Sequence, residues 1–390
     1  MPWSEVLAVD IDTQRLILIT GIAMAFALYA RTRLVTGGTI TPAYFLILLL
    51  EGRITAILVT FLVAGITLTL VRNLLLRRLA LSKAWLSGTL ITTGAIVNGL
   101  IGLVADSYTE PFFGIEQLIL VLGLYITPGL IAYDWERQGF WKTNAAIGVV
   151  VLATLVLTTP VLWLAKQLLP GASAVVIEGA GRIPDNLWWL ASILAITSTL
   201  LLRAGLGWRS AGFIGGVFIF EALTPVTALL AVAFAIVTYA IVRMIARVSL
   251  LTPRQRFEVS LIVGALASWF GLYWFTRFGF EPAIIANGYA LEPLLIVGLM
   301  ASDMGRKGSS IPTTIAGTFV SAAIIGIGIT LAMTGVVGVG VATLTALMTL
   351  AIALAIGIRS LRAEVTAAEA VGRSVRVNFE SKTGDHKSSG

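Results

Sequence analysis

Residues 128–139 read PGLIAYDWERQG and residues 297–308 read VGLMASDMGRKG, and six of the last eleven positions are identical at a constant offset of 169. Four of the six shared residues are glycine, aspartate or arginine, so a common apolar composition does not explain the match. We therefore predict an internal duplication, with one copy of this motif in each half of the chain.

Weaker matches flank the motif at an offset of 170 residues: Arg33 with Arg203, Gly37 with Gly207, Glu51 with Glu221, and Gly94 with Gly264. We expect two copies of a unit of about six helices, at residues 1–165 and 187–334. An even number of crossings gives both copies the same orientation, so an axis along the membrane normal would relate them. An extracytoplasmic linker at 166–186 joins them in this scheme. An additional transmembrane helix at 335–358 and a largely disordered cytoplasmic tail at 359–390 follow.

The composition places most of this length in a lipid bilayer. Hydrophobic residues make up 57% of the chain and charged residues only 12%, whereas an ordinary soluble domain carries about 25% charged residues. Apolar runs long enough for a membrane-spanning helix occur about thirteen times. The predicted fold class is therefore all-α, a polytopic bundle of about thirteen transmembrane helices.

The basic residues indicate the orientation of this bundle. If every apolar run crosses, 22 of the 27 Lys and Arg residues fall on one side, which the positive-inside rule assigns to the cytoplasm. The N-terminus is then outside and the C-terminus inside. Runs 34–50 and 204–220 are short and rich in glycine, and either could instead be a re-entrant hairpin. Re-entrant hairpins would distribute the basic loops over both faces, so we favour thirteen crossings.

Several kinds of chemistry are excluded by residue type. The chain has no cysteine, and its single histidine, His386, lies near the C-terminus, so thiolate chemistry and multi-histidine metal sites are ruled out. The phosphate-binding pattern G-x-x-x-x-G-K-[ST] is also missing. We expect no catalytic residue, metal or cofactor in this chain, and we expect the bilayer rather than nucleic acid to be the partner of its +7 charge.

The paired charges of the repeated motif are the first candidate site. Asp134 with Arg137, and Asp303 with Arg306, have the i, i+3 spacing that allows pairing on a helical turn. An exposed ion pair of little energetic value is the simpler interpretation. A docking edge on the cytoplasmic face is the functional interpretation.

Three glutamates are further candidates. Glu51 and Glu221 fall at the outer ends of equivalent runs, where each is either an interfacial charge or a functional group that recurs in both copies. Glu292 falls near the middle of run 283–302, beside Pro293. Carboxylates inside a membrane are functional candidates. If the helix starts near Ala290, however, Glu292 is interfacial.

Short strings in the first copy resemble the CapC/PgsC family, the polytopic membrane subunit of bacterial poly-γ-glutamate synthase. They are PGLIA at 128–132, QG at 138–139, TG at 36–37, PAY at 42–44 and RR at 77–78. The match covers roughly residues 15–165 and recurs more faintly over 187–334. Two departures stand out: the family's Pro-Gly-Tyr is Pro-Ala-Tyr here, and the second copy has Val297 where the first has Pro128. The second copy is therefore expected to have lost part of the site.

The resemblance implies a division of labour in the bacterial cytoplasmic membrane. In the family's complex a Mur-ligase-like subunit joins glutamate residues, so ATP and a divalent metal are expected only in that partner. This chain would anchor the ligase and assist synthesis and export, with room for a further membrane-anchored subunit. The selected docking or polymer-path residues are Pro42, Glu51, Pro128, Gly129, Asp134, Arg137, Gly139, Glu221, Glu292, Asp303, Arg306 and Gly308.

Two other functions remain open at this point. A stand-alone secondary transporter would also have duplicated parallel repeats and interrupted short helices in equivalent positions. A passive scaffold would anchor the ligase without passing polymer through the membrane. The sequence does not separate the scaffold from the export subunit.

Overall fold

The computed structural model describes residues 11–76, 83–106, 118–168, 183–184, 187–222, 225–278, 292–306 and 308–334. Within these ranges the protein is all-helical, with twelve α-helices and no strand. The helices are α1 (Ile11–Thr32), α2 (Thr41–Leu50), α3 (Ile54–Val71), α4 (Lys83–Asp106), α5 (Leu118–Gln138), α6 (Phe140–Leu168), α7 (Trp188–Leu206), α8 (Gly215–Ala222), α9 (Pro225–Val248), α10 (Pro253–Arg277), α11 (Glu292–Met304) and α12 (Ile311–Met333). The expected helix at 335–358 and the tail lie outside the described residues.

Five of the described helices, α1, α3, α6, α9 and α12, are long and apolar enough to cross a membrane. Their apolar segments are Thr13–Thr32, Ile54–Leu74, Phe140–Leu164, Ala228–Val248 and Ile311–Met333. Four shorter apolar helical segments lie in α2, α4, α7 and α11. The all-helical fold is thus confirmed for the described ranges, and five of its helices are suited to a membrane by length and composition, whereas the number of crossings stays a prediction.

The helices pack in two series with the same pattern of neighbours. In the first series α1 packs on α2 and α6, and α4 packs on α3 and α5. In the second, α7 packs on α8 and α12, and α10 packs on α9 and α11. Among the described helices, α5 contacts α7 between the series, and two more extensive contacts join them: α1 with α10, and α4 with α7. We call these last two contacts the two seams of the bundle. They are equivalent, because α1 of the first series corresponds to α7 of the second, and α4 corresponds to α10.

Runs 34–50 and 204–220 are not continuous helices. Residues 33–40 are unwound before α2 begins, and residues 207–214 are unwound before α8 begins. The backbone φ angles are positive in both loops, at Arg33, Gly37, Gly38, Gly207, Ala211 and Gly212. Such left-handed conformations interrupt a right-handed helix. Pro42 in the first turn of α2 allows the helix to restart because a proline there forfeits no intrahelical hydrogen bond.

The positive φ angles also correct the alignment of the two copies. Gly37 corresponds in backbone conformation to Ala211, and Gly38 to Gly212, at an offset of 174 rather than 170. The pairing of Gly37 with Gly207 expected from sequence identity is therefore wrong. Gly207 instead corresponds to Arg33, since both residues end the preceding helix in a left-handed conformation.

The first unwound segment returns along the whole length of α1. Arg33 directly follows the end of α1, and Glu51, after α2, accepts a hydrogen bond from Gln14 Nε2 near the start of α1 (3.4 Å). Residues 14–32 of a helix rise about 27 Å, close to the roughly 30 Å of a bilayer's hydrocarbon core. Residues 33–51 therefore cover the same distance as α1, which a shallow re-entrant hairpin would not do.

Reciprocal glycines bring two helix pairs into backbone contact. A Cβ on Gly94 of α4 would lie 2.9 Å from Gly129 N of α5, and a Cβ on Gly264 of α10 would lie 2.5 Å from Gly298 N of α11. Small residues permit such close approach between membrane helices, where van der Waals packing drives association. This explains why Gly129 and Gly298 recur in the motif, although Pro128 precedes only the first of them.

We predict that Gly129→Ala destabilises the protein. Its methyl group would lie 2.6 Å from the Leu90 carbonyl oxygen in α4, and such overpacking costs about 1–3 kcal/mol. Thermal unfolding of the detergent-purified chain, followed by tryptophan fluorescence, measures the loss. The matched control is Gly148→Ala in α6, where a Cβ meets no atom within 4 Å. Equal midpoints for the two variants would contradict this account of helix packing.

Candidate functional site

The unwound segment 33–40 is held by an aspartate from α5. Asp134 Oδ2 accepts a hydrogen bond from the backbone N–H of Gly37 (2.9 Å), and the Gly38 N–H also donates to this carboxylate. The Asp134 side chain is only 5% exposed. Because an unwound segment in a membrane lacks the internal hydrogen bonds of a helix, Asp134 supplies acceptors that the backbone itself does not.

Gln138, four residues after Asp134, binds the same segment. Its Oε1 accepts from Val35 N (3.0 Å), and its Nε2 donates to Val35 O, so the side-chain amide pairs with both backbone polar groups of that residue. The Gln138 amide also donates to Thr143 Oγ1 in α6 (3.0 Å). Gly139, at φ +92°, then makes the turn between α5 and α6. The repeated motif thus orders the break in the first copy.

The second copy uses its aspartate in the same way. Asp303 Oδ2 accepts from the backbone N–H of Gly212 (3.0 Å). Its other oxygen lies 3.8 Å from Arg209 Nη1 and 3.4 Å from Arg306 Nε. Gly308, at φ +81°, follows as Gly139 does in the first copy. An aspartate on the second helix of each glycine-packed pair therefore fixes an unwound segment in both copies.

Of the charged residues in the motif, only Arg137 and Arg306 are exposed enough to dock a partner protein. The carboxylates of Asp134 and Asp303 are buried, so a partner docked on the surface would not reach them. The side chains of Arg137 and Arg306 are each 45% exposed. Arg137 Nη1 lies 4.0 Å from Asp134 Oδ1, at the limit of an ion pair. These two arginines are the groups of the motif that a cytoplasmic protein could contact.

A second charged group, which the repeated sequence motif does not include, lies where α1 meets α10. Glu258 is fully buried and accepts hydrogen bonds from Arg254 Nε (3.0 Å) and from Thr39 Oγ1 (3.4 Å). The Arg254 guanidinium carbon lies 4.4 Å from the centre of the Tyr29 ring. The i, i+4 spacing of Arg254 and Glu258 was a usable signal, but it does not reveal a partner in the other copy.

The candidate glutamates lie away from this group. Glu51 is in the turn after α2, where its Oε2 pairs with Arg53 Nε (3.1 Å). Burial raises the pKa of the Glu51 carboxyl, and the nearby Arg53 opposes that shift. Glu221 is the last residue but one of α8, and Glu292 is the first residue of α11. Residues 279–291, just before Glu292, lie outside the described residues, so the interfacial or intramembrane placement of Glu292 stays a prediction. The side chains of Glu221 and Glu292 lie outside the described residues.

Within the described ranges, no three His, Asp or Glu side chains are placed so that they could hold a metal ion. The charged groups of both copies are instead paired with arginines and backbone N–H groups. Their arrangement can bind anions and fix the backbone, and it offers no activated nucleophile among the described side chains.

Comparison with known proteins gives one match. The family described as "Capsule biosynthesis CapC" matches residues 20–144 and, a second time, residues 194–311. The two matched regions together cover more than half of the chain, and each contains one copy of the aspartate-held break. No curated protein matches, and no solved structure matches.

We predict that Asp134→Ala lowers the stability of the purified chain, because the Gly37 and Gly38 N–H groups lose their buried acceptor. Leaving such groups unsatisfied costs about 1–3 kcal/mol. Asp134→Asn retains an oxygen acceptor and should lose less, and Glu136→Ala, on the same helix, serves as the control. Thermal unfolding measures all three. A midpoint for Asp134→Ala equal to that of Glu136→Ala would show that the aspartate does not hold the segment.

Proposed function

Because the chain belongs to the capsule biosynthesis CapC family and carries two copies of the family's segment, we propose that it is the membrane subunit of a poly-γ-glutamate synthase. In this proposal it anchors a cytoplasmic Mur-ligase-like enzyme and assists synthesis and export of the polymer. The double match to the family is the observation that carries the proposal. The polymer and the ligase partner rest on the resemblance of the sequence motifs to that family.

We propose further that the two copies are parallel six-helix units, followed by a thirteenth crossing helix. The recurrent helix pairings and the return of residues 33–51 along α1 support this arrangement. The positive-inside rule then places the motif turns at Gly139 and Gly308 in the cytoplasm and the C-terminus with them. The chain lies in the bacterial cytoplasmic membrane with its N-terminus outside.

The ligase docks, in this proposal, on the cytoplasmic turns around Arg137 and Arg306. Both side chains are half-exposed, and each sits on a turn that a buried aspartate fixes. A guanidinium held in a defined place can form paired hydrogen bonds with a carboxylate of the partner. ATP and the divalent metal belong to the ligase, since amide formation from a carboxylate needs an activating nucleotide, and this sequence has no phosphate-binding loop.

One observation favours a second function, a stand-alone transporter. Interrupted helices at equivalent positions of two repeats are typical of transporter substrate sites, and the breaks at 33–40 and 207–214 have this form. A transporter requires solute uptake by liposomes that contain this protein alone. Absence of uptake across a panel of solutes would remove this alternative, and Glu292→Gln would change the pH dependence of uptake if Glu292 takes part.

We predict that Arg137→Glu combined with Arg306→Glu releases the ligase from membranes, because the docking turns acquire the opposite charge. Co-sedimentation of the ligase with membranes measures the release. Arg243→Glu combined with Arg247→Glu, an equal charge change at two exposed positions of α9, is the matched control and should retain the ligase. Ligase that sediments equally with the double variant and with the control would contradict the docking assignment.

We predict that the two ends of α10 face opposite sides of the membrane. The chain has no cysteine, so a single introduced cysteine can be labelled alone. A membrane-impermeant maleimide should label Phe278→Cys in intact cells and Leu250→Cys only after the membrane is opened. Both positions flank α10, and no other part of the described chain covers their side chains. Labelling of Leu250→Cys in intact cells would reverse the orientation.

A further inference from the structure

The two seams between the helix series are equivalent in position, but one contains charged side chains and the other contains apolar ones. At the seam of α1 with α10, Arg254 contacts the Tyr29 ring, and the buried Glu258 accepts hydrogen bonds from Arg254 and Thr39. At the seam of α4 with α7, the glycine that corresponds to Glu258 is Gly88, at the offset of 170 that relates α4 to α10. A Cβ on Gly88 would lie 3.2 Å from the Leu200 side chain. One seam is therefore charged, and the other is closed by apolar packing.

Arginines converge on the charged seam. The guanidinium carbons of Arg254 and Arg33 lie 4.4 Å and 5.6 Å from the centre of the same Tyr29 ring. Arg137 lies on α5 between Asp134 and Gln138, the two residues that bind the unwound segment following Arg33. Three guanidinium groups thus gather at the end of α1, where the unwound segment begins.

The carboxylates of this group do not neutralise the arginines. Three guanidinium groups face two carboxylates, Asp134 and Glu258, and both carboxylates are buried and already accept hydrogen bonds. Arg254 donates its Nε–H to Glu258, and a guanidinium carries four further N–H donors on its terminal nitrogens. The Arg254 side chain is 26% exposed, and Arg33 and Arg137 are exposed at the same end of the bundle. The seam therefore presents positive charge to an anion that arrives from this side.

Carboxylate is the anion that fits both this site and its place in the bundle. Guanidinium groups can bind carboxylates through paired hydrogen bonds, and in the second copy Arg209 and Arg306 both form ion pairs with the Asp303 carboxylate. A chain of γ-linked glutamates carries one free α-carboxylate on each residue. Successive carboxylates along such a polymer could therefore pair with several arginines gathered at one site.

We propose that Arg33, Arg137 and Arg254 form a binding site for the carboxylates of the nascent γ-glutamyl chain, at the charged seam and not at its apolar counterpart. The polymer enters the protein once, beside the first unwound segment, although the chain contains two copies of the fold. The second copy supports the site by contributing α10, which carries Arg254. This inference rests on the proposed function for the identity of the polymer.

The test is binding of a fluorescent γ-linked decaglutamate to the full-length chain in detergent, followed by fluorescence anisotropy. Arg33→Gln, and the double variant Arg254→Gln with Glu258→Gln, should each weaken binding by about tenfold or more, which corresponds to the loss of one charge-assisted contact. The double variant leaves no unpaired buried charge, and size-exclusion chromatography checks that both variants fold. A neutral γ-aminobutyrate decamer, which lacks the α-carboxylates, should not bind.

The matched control is Arg203→Gln, which makes the same charge change at the residue of α7 that corresponds to Tyr29. It should weaken binding by less than about twofold. Equal weakening by the control, or no weakening by the charged-seam variants, would overturn the proposal. The ligase is absent from this assay, so these results leave the proposed function standing if the ligase still co-purifies with the wild-type chain.

Discussion

The architecture depends on one constraint, that backbone N–H groups exposed by a broken helix inside a membrane must find an acceptor. Asp134 meets this need for Gly37, and Asp303 meets it for Gly212. Each aspartate lies on a helix that glycine packing holds against its neighbour, at Gly129 and Gly298. The motif therefore combines the residue that permits close packing with the residue that fixes the break.

Duplication followed by divergence explains why the two halves differ. Both copies keep the aspartate, the close-packing glycine and the glycine turn, because the fold requires them in each copy. The two seams can differ in sequence. Two identical copies would have to form both contacts with the same surfaces, whereas the two halves of a fused chain can change independently. Arg254 and Glu258 stand on one seam, whereas Gly88 and Leu200 fill the other. In the proposed site, this asymmetry would give a protein with two similar halves a single entry for an anionic chain.

The sequence predicted what depends on local pattern. The helical membrane fold follows from composition, and the duplication follows from the identities between residues 129–139 and 298–308. The sequence did not predict the burial of Asp134, because an i, i+3 partner such as Arg137 is equally consistent with an exposed pair. It also misaligned Gly37 with Gly207, since identity favoured an offset that the backbone conformation does not follow.

The role of Glu258 was beyond prediction for a different reason. Its partner Thr39 is more than 200 residues away in sequence, in the other copy. No helical periodicity encodes which helix of one repeat faces which helix of the next. Contacts of this kind form only when both copies pack together. Local sequence patterns therefore do not predict the polar side chains at these contacts.

Purification from the native membrane shows whether this chain is, as proposed, the membrane subunit of a poly-γ-glutamate synthase. Tagged protein is isolated in mild detergent, its companions are identified, and ATP and labelled glutamate are added. We predict that a Mur-ligase-like protein co-purifies and that labelled polymer with γ-linkages forms. A protein that purifies alone, with no labelled polymer, would contradict the claim.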